Sequence, residues 1–180
     1  MRRISVIGSS GAGKTTLSRV LAKAIGGTHI ELDALYHGPN WTPTADNEFR
    51  RRVGALVENE CWVIDGNYST VRDLVWSAAD TVVWIDLPRR TILPSLLRRT
   101  LTRMWRGTAL WNGNRERFRQ LLDPRAEENV LLWMWTTHRA ARQMYSAALA
   151  DPRWSHLEHH RLDSRARLAE FRRRSFDGPG

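Results

Sequence analysis

The chain has 180 residues, 42% of them hydrophobic, and a formal charge of +9 from 28 Lys and Arg against 19 Asp and Glu. That is enough for one α/β domain with a substantial core and too little for two large ones. The single cysteine, Cys61, excludes an internal disulfide framework and a thiolate metal site. The apolar run at Ile4–Ile7 is cut by glycines before a signal-peptide core forms, and the window 130–135 falls far short of the roughly 20 residues a membrane-spanning helix needs. A cytoplasmic protein without membrane contact is expected. Only Lys14 and Lys23 are lysines, so the positive charge is mostly guanidinium, which forks onto phosphate oxygens in two-point geometry. Nucleotides and nucleic acids both qualify as acidic partners.

In chain order, strands and helices alternate. Ile4–Ile7 reads as a strand, and Leu17, Val20, Leu21 and Ala24 fall at helical spacing within Thr15–Ile25. A second strand, His29–Leu32, ends at Asp33, and a helix spans Ala45–Glu58. Trp62–Ile64 is a third strand, stopped by Asp65-Gly66-Asn67, followed by a helix over Val71–Ala78. The fourth strand is 81–88, and a basic amphipathic helix covers Thr91–Arg103. The Gly- and Asn-rich stretch 106–114 breaks the pattern before helices at 115–122 and 126–149. A fifth strand at His159–Leu162 and a helix to Arg174, capped by Asp163 or Ser164, precede a frayed tail. This order predicts a three-layer α/β fold with a five-stranded parallel sheet and right-handed crossovers.

Gly8-Ser9-Ser10-Gly11-Ala12-Gly13-Lys14-Thr15 matches G-x-x-x-x-G-K-[ST] between a strand and a helix. In that context, glycines let successive main-chain N–H groups face a nucleotide's phosphates, and the helix N-terminus adds its positive end. Lys14 then bridges the β- and γ-phosphates, Thr15 ligates magnesium, and Thr16 continues the cradle.

In a doubly wound sheet, ligands sit beyond the carboxyl ends of the strands, where Asp33, Asp65 and Asp86 all fall. Asp65 is balanced between a magnesium-organising role and a turn. Asp86, before Leu87-Pro88, is chiefly a turn residue. Asp33 serves either a hydroxyl acceptor, as base or binder, or the metal.

The glycine loop, the Leu-Asp-Ala-Leu-Tyr-His segment at 32–37, Val63-Ile64-Asp65-Gly66-Asn67-Tyr68, the Val82–Pro88 strand and the arginine-rich helix after it resemble the adenylate kinase-related small-molecule kinases. The local similarity is greatest to the subgroup labelled DNA topology modulation proteins. That resemblance implies a P-loop fold, an acceptor-binding segment at 34–60, a lid at 104–120 closing over ATP, and lid arginines on the transferring phosphoryl group. Arg99 and Arg103, four apart on one helical face, are the favoured pair, with Arg98, Arg106, Arg115, Arg117 and Arg119 nearby. It also implies Arg165 beside the adenine. The chain departs from the Asp-Gly-Phe-Pro-Arg pattern of adenylate kinases at Asn67 and Tyr68, with Arg72 arriving later, so the acceptor need not be AMP.

Tyr36, His37 and Trp41 either stack on a ring of the acceptor or, more simply, pack under a helix. Tyr68 and Arg72 are the corresponding pair after the third strand, and Asp33, Tyr36, Asp65, Asn67, Tyr68 and Arg72 form the expected acceptor side. Trp133 and Trp135 read as core residues or, in the sharper alternative, as a homodimer face. The expectation is an ATP- and magnesium-dependent phosphotransferase acting on a small nucleotide, nucleoside or other hydroxyl compound. A nucleic-acid-associated ATP-binding regulator and a simple NTPase are the alternatives.

Overall fold

Five strands, β1 (Arg3–Gly8), β2 (Thr28–Glu31), β3 (Trp62–Asp65), β4 (Thr81–Ile85) and β5 (Glu158–Leu162), form one parallel sheet in the order β2-β3-β1-β4-β5. The structure is a computed structural model that describes residues 1–116, 118–125 and 129–176. Central β1 pairs with β3 through Val6↔Asp65 and with β4 through Gly8↔Ile85. The order reverses at β1, so the crevice at this edge opens over the glycine loop.

The helices are α1 (Lys14–Ile25), α2 (Leu32–Tyr36), α3 (Asp46–Val57), α4 (Ser69–Ala78), α5 (Arg89–Trp105), α6 (Phe118–Leu121), α7 (Val130–Leu149) and α8 (Arg165–Phe176). Alternation along β1 sorts them into two layers. Ile4 and Val6 face Leu17 and Leu21 of α1 and Ile92 and Leu96 of α5. Ile7 faces the opposite layer, with Phe49 and Val53 of α3 and Val71, Val75 and Trp76 of α4. α7 serves both sides, giving Met134 to the first layer and Tyr145 to the second.

The structure departs from the sequence reading in several places. β2 stops at Glu31, and Asp33 lies in the first turn of α2, a helix too short to announce itself by periodicity. The expected helix at 115–122 is reduced to α6, and residue 117, with Arg117, lies outside the described residues. So do 126–128 and the tail from 177. Trp133 and Trp135 do not enter the core: each is 48% exposed while Met134 between them is 1% exposed, because the helix turns only one face inward. Arg89 lies over the Trp135 ring at 4.6 Å. Ser164 does cap α8, accepting from the Arg167 amide at 3.3 Å. No helix among the described residues is long and apolar enough to cross a membrane.

Asp86 is a buried junction. Its Oδ2 accepts from Arg142 Nε on α7 at 3.0 Å and from Arg161 Nε and Nη2 on β5 at 2.8 and 2.6 Å. The carboxylate therefore ties α7 and the edge strand to the end of β4. Both arginines are half exposed, which tempers the strength of the pairs. Asp86→Asn is predicted to lower the unfolding free energy by about 2 kcal/mol, read as a lower urea midpoint at unchanged slope.

Candidate functional site

The glycine loop turns between β1 and α1 because side chains are excluded at its start. A Cβ on Gly8, at φ 145°, would stand 2.5 Å from the Ile85 carbonyl oxygen, and one on Gly11, at φ 80°, would stand 2.8 Å from Leu96 Cβ. Asn67 completes the frame. Beyond the last β1–β3 rung its side-chain amide imitates a strand peptide: Oδ1 accepts from the Gly8 N–H at 3.1 Å and Nδ2 donates to the Gly8 carbonyl. Asn67, expected on the acceptor, thus has both polar atoms engaged by the loop.

α1 then begins with no side-chain cap and no acidic residue in its first turn; its N-cap is Gly13, at φ 99°. First-turn amides have no acceptor within their own helix, so Thr15 and Thr16 stand in a field that favours an anion. Within the loop, the Ala12 amide bonds to the Ser9 carbonyl at 3.2 Å. Lys14 Nζ folds back onto the carbonyls of Gly8 and Ser9, at 2.9 and 3.2 Å. Burial pushes the Lys14 ammonium below its usual range, Asp33 and Asp65 pull it back up, and Arg99 lowers it further. A cradle with uncapped amides, a half-buried ammonium drawn onto the loop carbonyls and excluded Cβ atoms fits a nucleotide's phosphates.

The carboxylates divide. Asp65, 4% exposed, hydrogen bonds to His29 Nε2. Asp33 Oδ1 accepts from the Tyr68 hydroxyl at 2.7 Å, and burial first, then Asp33, raises the Tyr68 pKa well above its ordinary value. The phenol therefore remains a donor. Among the described residues no group of three or more His, Cys, Asp or Glu could hold a metal alone. The oxygen donors near the loop are the Thr15 hydroxyl and the carboxylates of Asp33 and Asp65, a donor type that magnesium takes together with waters and substrate phosphates.

α5 brings the arginines. Arg99 Nε is buried with no partner, and its pKa is lowered by burial and by Arg103, against the opposite pull of Glu116 and Asp33. Arg103 pairs with Glu116 at 3.3 Å, while the other Glu116 oxygen is buried and unpartnered. At this corner only Arg103 makes an ion pair with Glu116, so among the described residues Arg99 is left without a carboxylate in direct contact. Arg98, Arg99, Thr102, Arg103, Arg106 and Thr108 line a concavity of about 430 Å³ beside it. Arg72 lies outside this concavity, 5.6 Å from the ring centres of Trp76 and Tyr145, and lines a small cavity with Asn67 and Tyr68. Arg165 reaches α5, donating to the Thr91 carbonyl and Ser95 Oγ at 3.2 Å each.

The stretch 106–114 docks on residues 31–41, an arrangement hidden from the sequence by more than 70 intervening residues. Asn114, 4% exposed, accepts from the Trp41 amide at 2.9 Å and donates to the Gly38 and Trp111 carbonyls at 2.9 Å each. Asn112 donates to the His37 carbonyl, and Trp111 Nε1 to Glu31 Oε2 at 3.0 Å. The Trp111 ring stacks on His37, 6.0 Å between centres, with Trp41 edge-on to both. Tyr36 instead packs on Phe49 and Tyr68, under α3 as the simpler reading had it. Trp41 has φ 59°, an uncommon conformation for a bulky residue, and its amide is the one Asn114 holds.

No family model matches the chain. An uncharacterized Bacillus subtilis (strain 168) protein, YqaC, is 30% identical over 104 residues, covering 57% of this chain and 58% of that protein, so the match spans less than two thirds of the relative. Two solved kinases share the architecture across nearly the whole chain. A gluconokinase from Sinorhizobium meliloti has a TM-score of 0.51 at 20% identity, covering 98% of this chain and 90% of its own. A shikimate kinase from Acinetobacter baumannii, solved with shikimate, has 0.52 at 17% identity, covering 96% and 89%. The fold is that of the P-loop kinases.

Two outcomes follow from this geometry. Asn114→Ala leaves the Trp41 amide and the Gly38 carbonyl without their partner, while the Trp111 carbonyl keeps the backbone amide of residue 114; it should lower stability by about 2 kcal/mol and speed hydrogen exchange at the Trp41 amide. Burial lowers the His37 pKa from its ordinary 6.5, opposed by Asp33. The folded state keeps the ring neutral where the unfolded chain protonates, so unfolding takes up a proton and stability falls as pH drops below the unfolded value. His37→Gln should flatten that acid limb in denaturant titrations.

Proposed function

We propose that the chain is an ATP- and magnesium-dependent phosphotransferase that delivers the γ-phosphoryl group to a hydroxyl of a small acceptor. The observation that carries this reading is the glycine loop, closed to Cβ atoms at Gly8 and Gly11, that leads into an uncapped helix N-terminus with the Lys14 ammonium folded onto the Gly8 and Ser9 carbonyls.

In this reading, Gly8 to Thr16 wrap the phosphates, with Arg165 toward the base. Thr15 and Asp65 would hold magnesium, which when bound neutralises charge on the transferring group. Asp33, oriented by Tyr68, accepts the hydroxyl proton as the acceptor oxygen bonds to the γ-phosphorus and the bond to the β-bridging oxygen breaks. Arg99 and Arg103 balance the three equatorial oxygens, displacing Arg103 from Glu116. Residues 34–60 cover the acceptor and 104–120 act as the lid.

A carboxylate facing the acceptor favours a hydroxyl over a phosphate, because a phosphate nucleophile needs no base. A sugar, hydroxy acid or nucleoside fits this better than a nucleoside monophosphate. The charge of +9 supports a second reading, the nucleic-acid-associated regulator of the DNA topology modulation type. That reading requires DNA or RNA affinity falling steeply with salt and no turnover of small acceptors.

Incubation with γ-labelled ATP and a panel of sugars, hydroxy acids, nucleosides and nucleotides should move label to one hydroxyl class. Asp33→Asn should cut that transfer roughly a hundredfold or more, with ADP affinity retained, and Lys14→Ala should cut it comparably. Phosphate release independent of every acceptor would mean a simple NTPase.

A further inference from the structure

We propose that His29 is a positioning residue for Asp65, holding one carboxylate oxygen so that the other is presented to a nucleotide-bound magnesium ion. This rests on the reading of Asp65 as the magnesium organiser.

Asp65 is the last residue of β3, with Val6 beside it on β1 and Glu31 on β2. Its side chain is 5% exposed, and His29 Nε2 stands 3.1 Å from Oδ2. No hydrogen bond among the described residues engages Oδ1. An ionised carboxylate only accepts, so the proton of this contact sits on Nε2. Lys14 feels Asp65, which places the carboxylate within the electrostatic reach of the phosphate cradle.

The imidazole is itself held in place. Its side chain is 16% exposed, and Nδ1 lies 4.0 Å from Glu31 Oε1, a distance for electrostatic attraction rather than a hydrogen bond. Glu31 in turn accepts from Arg19 Nη2 at 2.8 Å and from Trp111 Nε1 at 3.0 Å. The docked 106–114 stretch, the end of β2 and Asp65 are therefore joined through Glu31 and His29. A carboxylate free to rotate would present either oxygen or both; with Oδ2 occupied it presents one, and outer partners of this kind set the orientation of metal-binding groups.

The test is calorimetric titration of ADP with and without magnesium into the wild type, His29→Leu, His29→Gln and Asp65→Asn. Leu and Gln keep the side-chain volume close to the original, so both variants should fold, as circular dichroism will verify; only Gln retains a donor. His29→Leu is expected to reduce the magnesium-dependent gain in ADP affinity about tenfold while leaving metal-free ADP affinity unchanged, and His29→Gln should keep most of the gain. Equal losses with and without magnesium, identical behaviour of Leu and Gln, or no change in the Leu variant would overturn the proposal. If Asp65→Asn leaves the gain intact, the reading of Asp65 itself fails; if Asp65→Asn abolishes it and His29→Leu does not, only the role of His29 fails.

Discussion

The curl of main chain between β1 and α1 is the constraint on which the rest of the site depends, because it must pass between three neighbours that leave no room for side chains. The Ile85 carbonyl closes on Gly8 from β4, Leu96 closes on Gly11 from α5, and the Asn67 amide clamps Gly8 from beyond β3. Two of these neighbours are in turn fixed by the core: Ile85 and Leu96 are buried in one layer against α1. Packing energy of the sheet thus holds the first-turn amides of α1 in place before any ligand arrives, which is what preorganised electrostatic stabilisation requires.

Charge is distributed around this frame with the same economy. Lys14 spends its donors on loop carbonyls, Asp33 is held by Tyr68, Asp65 by His29, and Arg103 by Glu116. Arg99 alone of these keeps a buried nitrogen without a partner. A polyanion entering the cradle would exchange these internal contacts for stronger ones, and the desolvation that depresses Lys14 and Arg99 would be offset by its charge. The 106–114 stretch lies against residues 31–41 through side-chain amides that grip main-chain groups, so the covering of one side of the crevice is inseparable from the conformation of the other.

The glycine loop was legible because its chemistry is local: spacing, a strand before and a helix after specify it. The five strands and their parallel arrangement followed from alternation of short apolar runs with helical periods. What stayed hidden is what the chain brings together from afar. Asn67 reads as a turn residue, since nothing local reveals that its amide replaces a rung beside Gly8. Asp86 looked like a strand stop, and its partners Arg142 and Arg161 lie 56 and 75 residues away. Asn114 and Trp111 sit in a Gly- and Asn-rich stretch that announces a loop without saying what it touches. α2 is a single turn of helix, below the length at which periodicity speaks, so Asp33 moved from a strand end to a helix. Of the two readings of Trp133 and Trp135, the core one failed because an apolar run says nothing about which face of a helix meets the core.

Amide hydrogen exchange across residues 10–16, followed with and without magnesium and ADP, tests the central claim most directly, since it reads the cradle's own N–H groups. The account predicts strong slowing at these amides on nucleotide addition, lost in Lys14→Ala. Unchanged exchange there, in folded protein at saturating nucleotide, would contradict it.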